Sequence, residues 1–141
     1  MTVQLNAKQL WGSTILAAIA LLSASAPGLA ETVALAGSPT QAITLSGQSG
    51  GAVGTPDCGQ ISATPNHILN VSERIGSMKV SVQSANPQAT LLIDGPGGRF
   101  CAVAAGNKLP EIPGLWMPGQ YRVYVGNLGG DRSPYTLSIS Q

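Results

Sequence analysis

The sequence predicts an all-β fold, a single β-sandwich or jelly roll of about seven to eight short strands. Three observations carry this. Eighteen glycines and ten prolines punctuate 141 residues, more turns than a helical protein tolerates. Short stretches alternate apolar and polar residues with period two, as in "MKVSVQS" and "QYRVYV". After the first thirty residues, no stretch of helix length keeps a helical period through its glycines and prolines.

Residues 1–30 read as a secretory signal peptide. A short start carries one basic side chain, Lys8; Ile15 to Leu22 is an unbroken apolar run too short to span a bilayer; small residues then lead to "APGLA". Gly28 and Ala30 suit a cut before Glu31, and Ala24 and Ala26 offer a second. Residues 31–41 are expected to be a flexible lead-in, and 42–141 the sandwich. "QAITLS" gives a first strand, with Ile43 and Leu45 on one side. A glycine-rich connection runs to Cys58, and "HILNVS" gives a second strand. In "MKVSVQS", Met78, Val80 and Val82 share a face. "ATLLID" is nearly all apolar, the pattern of a strand buried on both sides. "GPGG" turns the chain into "RFCAV", which puts Cys101 in or beside a strand. "GNKLPEIPGLWMPG", with three prolines, reads as an irregular surface loop. Two strands follow, with Tyr121, Val123 and Val125 inward in the first and Tyr135, Leu137 and Ile139 in the second. "GNLGGDRSP" between them is expected to close a wide hairpin.

Charge and cysteines narrow the function. Beyond the signal, six basic and six acidic residues balance with no basic cluster, so the electrostatic footprint of nucleic-acid binding is missing, as is any basic amphipathic helix for a membrane surface. No apolar stretch of the mature chain is long enough for a membrane span. Cys58 and Cys101, an even pair in an exported chain, read as a structural disulfide.

"MKVSVQSANPQATLLIDGPGG" followed by "MPGQYRVYVGNLGGDRSPYTLSI" resembles the bacterial pre-peptidase C-terminal domain. The resemblance lies in Leu91 to Gly95, in Gly119, Tyr121, Val123 and Val125, and in Tyr135, Leu137 and Ile139; it covers Ile43 to Ile139. It implies a jelly-roll-like domain of exported bacterial proteins, non-catalytic, often placed after a protease domain. Some members bind extracellular matrix or glycans, some with calcium. Here no catalytic domain precedes it, which points to a free-standing module.

Several residues suggest chemistry. "GQSGG" matches the G-x-S-x-G pattern of serine hydrolases around Ser49, and His67 is the one imidazole to serve it as base; no helix follows the serine, as that motif requires. Asp94 and Arg99 flank a glycine-rich turn, as a sugar-binding loop or as ordinary turn chemistry. Asp57, Asp94 and Asp131 are the calcium candidates, scattered singly. Trp116 with Tyr124 would make a small glycan platform, against which stands Trp116 as a buried anchor. "NVS" at Asn70 is a glycosylation acceptor only in a host with that machinery. The sequence therefore describes an exported, non-catalytic accessory or binding module in the periplasm or outside the cell. Its expected partner is an extracellular polysaccharide or an envelope protein, and calcium is the one cofactor entertained. The alternatives are a secreted hydrolase built on Ser49 and His67 and a structural component of the envelope or matrix.

Overall fold

The computed structural model describes residues 29–141. The expected signal peptide falls outside the described residues apart from Leu29 and Ala30. Two sheets face each other, and among the described residues there are eleven strands and no helix, so the sandwich expected from the sequence is present. In chain order the strands are β1 (Glu31–Leu35), β2 (Ile43–Gln48), β3 (Val53–Gly54), β4 (Gln60–Ile61), β5 (His67–Val71), β6 (Ile75–Ser84), β7 (Ala89–Gly95), β8 (Gly98–Val103), β9 (Glu111–Trp116), β10 (Gly119–Asn127) and β11 (Pro134–Ser140). The larger sheet runs β1-β5-β10-β7-β8, with the small β3–β4 pair joining β10 beyond the end of β5. The smaller sheet runs β2-β11-β6-β9.

Alternation sets the core. Tyr121, Val123 and Val125 of β10 face Leu137 and Ile139 of β11 and Val80 and Val82 of β6 in one buried cluster. β7 is buried on both sides, as its unbroken apolar run requires. Leu91 and Ile93 enter the main core, while Leu92 packs outward against Cys58 and Ile61. Cys58 lies in the loop that crosses this outer face, and its bond to Cys101 of β8 pins it there. Thr90 Oγ1 adds a hydrogen bond to the Cys58 carbonyl at 2.7 Å.

Three expectations are corrected. The stretch 31–41, expected to be flexible, begins with β1, which pairs parallel with β5 from Glu31 opposite His67 to Leu35 opposite Val71, and Leu35 is buried in the core. Its partner lies far along the chain, so nothing local announces the pairing. "PEIPGLW", expected to be loop, contains β9, paired with β6 across an irregularity between Ile75 and Met78. Pro113 is tolerated because β9 is an edge strand, where one side needs no backbone donor. The expected β10–β11 hairpin does not form: β10 belongs to the larger sheet and β11 to the smaller, so the connection is an arch. The buried side chain of Asn127 holds that arch, accepting from Gly130 N at 2.6 Å and donating to the carbonyl of Asp131 and to Ser49 Oγ. Period two tells which side chains face inward, but the same pattern serves strands that pair and strands that face each other.

Candidate functional site

The sandwich has two open sides, and they differ in chemistry. One lies between β8 and β9, the edge strands of the two sheets. Phe100 is directly opposite Ile93 in the β7–β8 register and so points to the inner side of its sheet. The smaller sheet ends at β9, and Phe100 is left 52 % exposed. Leu115 and Met117, at the end of β9 and just after it, are 48 % and 47 % exposed. Together these three rim an apolar cleft of about 120 Å³ floored by Ile93, Trp116 and Tyr121.

Trp116 is what holds this rim in place. It is 4 % exposed, its Nε1 donates to the Met78 carbonyl at 2.9 Å, and its ring meets that of Tyr121 edge-on with centroids 5.0 Å apart. Tyr121 in turn donates its hydroxyl to the Met117 carbonyl at 2.7 Å, which fixes the start of the turn after β9. Gly95 makes room for this tyrosine: a Cβ there would drive into the ring.

The other open side, between β1 and β2, is polar. Its cleft of about 280 Å³ is lined by Glu31, Ser46, Thr64, Asn66, His67 and Tyr135 among others. His67 Nε2 lies 2.7 Å from Tyr135 Oη, a bond that joins the two sheets.

The sequence candidates fall on neither mouth as a group. Ser49 is fully buried, and its hydroxyl bonds to Asn127 Nδ2 and Ser133 N. His67 is engaged with Tyr135 instead. The Ser49–His67 pairing that a hydrolase needs is therefore corrected: the two side chains serve different parts of the scaffold, and no substrate reaches a serine enclosed on all sides. Asp94 and Arg99 lie on the outer face of the larger sheet, where cross-strand register places Arg99, Asp94 and Arg122 in one row. Arg99 grips Asp57 with two bonds of 2.8 and 2.7 Å, and Arg122 holds Asp94 at 2.7 Å. The Arg99 guanidinium keeps the Asp57 carboxyl below the usual carboxylate range, and the same hydrogen bond raises Arg99 above its own ordinary value. Both pairs are solvent-exposed. Arg99→Ala is expected to leave the thermal midpoint close to that of the parent protein in a circular-dichroism melt, because water already screens the pair.

Nor do the calcium candidates converge. Asp57 and Asp94 spend their carboxylates on arginines, while Asp131 sits in the arch at Asn127. Among the described residues no group of three or more His, Cys, Asp or Glu side chains is placed to hold a metal ion. Of the two readings of Trp116 the buried anchor holds and the platform with Tyr124 does not: Trp116 lies in the core between the sheets, whereas Tyr124 packs on the outer face beside Cys58, Leu92 and Cys101. The rim residues Phe100, Leu115 and Met117 were not singled out from sequence. In a list of apolar residues nothing distinguishes those left outside, since exposure here depends on where the opposing sheet stops.

No family model matches the chain. An uncharacterized protein of Synechococcus elongatus is 42 % identical over 103 residues, covering 70 % of this chain and 75 % of that one. Among solved structures, the pre-peptidase C-terminal domain of the collagenase of Bacillus anthracis superposes with a TM-score of 0.55 at 20 % identity, over 81 % of this chain and 97 % of that one. The periplasmic g-type lysozyme inhibitor of Salmonella Typhimurium reaches a TM-score of 0.41 at 18 % identity, over 79 % of this chain and 98 % of that one. The fold is thus that of the pre-peptidase C-terminal domain, as the sequence resemblance implied.

Proposed function

The chain belongs to the same family as the Synechococcus elongatus protein, and on that premise we propose that it is an exported, non-catalytic binding module that meets a protein partner through the β8–β9 mouth. The observation that carries this is the cluster of Phe100, Leu115 and Met117, three large apolar side chains each about half exposed around one cleft. Isolated exposed apolar residues are ordinary, but a gathered patch on a small domain marks a contact surface. A protein is favoured over a polysaccharide because the cleft offers no free polar side chain to sugar hydroxyls: the Tyr121 hydroxyl is spent on the Met117 carbonyl and the Trp116 N–H on the Met78 carbonyl. Export agrees with the leader sequence and with the disulfide, a bond that persists in oxidising compartments.

The test compares the parent protein with a Phe100→Asp, Leu115→Asp variant as baits on an envelope extract of the source cell, with purified envelope polysaccharide in a parallel arm. The expected result is a defined protein bound by the parent and lost by the variant, with both baits giving the same circular-dichroism spectrum. Equal capture by the two baits, or binding of polysaccharide alone, overturns the reading.

A further inference from the structure

We propose that β1 is an acid-released strap on the edge of the larger sheet, with His67 as its sensor. His67 is the only histidine of the chain and is buried on the inner side of β5. Its two nitrogens face different elements. Nε2 is 2.7 Å from Tyr135 Oη of β11, across the gap between the sheets. Nδ1 is buried without a hydrogen bond and faces the Glu31 carboxylate of β1 at 3.8 Å, too far to bond directly. The other neighbours among the described residues do not titrate: β10 places Val123 opposite His67, and β2 places Gly47 beneath the Tyr135 ring, where a Cβ would come within 2.7 Å of the hydroxyl. A cut before Glu31 adds the new α-amino group at the start of β1, and the His67→Gln variant below separates its titration from that of the imidazole.

Protonation would put a cation in this enclosed place. Burial pushes His67 below the ordinary imidazole value of 6.5, and the Glu31 charge opposes that shift without cancelling it. The same burial pushes the Tyr135 hydroxyl up, so it stays protonated and offers no negative charge in compensation. A histidine with a lowered native pKa takes its proton more readily once exposed. The stability it lends is therefore present above 6.5 and is lost as the pH falls below that value.

β1 is the element that yields first. Among the described residues it pairs only with β5, and its side chains other than Leu35 are exposed or half-buried. Lifting it bares His67 while the central β5-β10-β7 pairing stays intact, so a local opening relieves the buried charge at less cost than unfolding.

Hydrogen exchange on the exported chain, corrected for intrinsic rates, tests this at pH 7.5 and pH 5. Opening of the β1 amides is expected to increase by up to about thirtyfold at the lower pH, with β7 and β10 unchanged. His67→Gln is expected to remove the difference. Glu31→Gln, at a side chain that is 59 % exposed, keeps the fold and is expected to enlarge the difference while lowering the midpoint of the single imidazole signal in NMR. Equal β1 protection at the two pH values, an acid effect that survives His67→Gln, or an imidazole midpoint at or above 6.5 in the parent would each overturn the proposal.

Discussion

Replacing both cysteines with serine, or reducing the Cys58–Cys101 bond, is expected to lower the unfolding free energy by about 4 kcal/mol, the chain-entropy value for a closed loop of this length. Small domains have a net stability of about 5–15 kcal/mol, so the loss takes a large share of it. The bond joins residues 43 apart in sequence, and it does more than shorten the unfolded chain. The loop around Cys58 is the lid on the outer side of β7, where Leu92 and Ile61 are buried. Without the bond, the lid is held by the Thr90–Cys58 hydrogen bond, the outward packing, the pairing of β4 with β10 and the Asp57–Arg99 pair. Urea unfolding with and without reductant measures the difference. Coincident midpoints would show that packing alone holds the lid.

Trp116→Ala is expected to cost about 3–5 kcal/mol, the range for removing a large buried aromatic side chain. The cavity would open under the mouth itself, because the buried indole lines the same cleft as Phe100, Leu115 and Met117. Trp116→Phe keeps most of the ring and loses the donor to the Met78 carbonyl, for about 1–2 kcal/mol. The order parent, Phe, Ala in a urea titration is the signature of an anchor. An alanine variant as stable as the parent would return Trp116 to the surface and revive the sugar platform. This variant also separates two causes of lost binding: Phe100→Asp, Leu115→Asp changes the rim of a folded domain, whereas Trp116→Ala loosens the frame beneath it.

Much of the scaffold was readable from the chain because the physics is local. Val123 and Val125, or Leu137 and Ile139, announce a buried strand face at their own positions, and the apolar run Ala89–Ile93 announces a strand covered on both sides. What lay beyond reading was partnership. Strand β1 has a partner more than thirty residues away, and strands β10 and β11 look like a hairpin but belong to opposite sheets. The candidate site was less legible still. Asp94, Arg99 and Asp57 drew attention as polar residues near glycines, yet they pair with arginines or an aspartate on an open face. Ser49 carried a motif and is a buried fastener of the arch.

By itself, then, the sequence determined the β architecture, the inward faces of its main strands and the pairing of its two cysteines, since alternation, turn residues and a lone even pair act through neighbours or leave no alternative. Tertiary structure alone decided which strands share a sheet, which of the two readings of Trp116 holds, and that Phe100, Leu115 and Met117 stand around one opening. Those outcomes depend on where one sheet ends against the other, a long-range fact that no window of the chain contains.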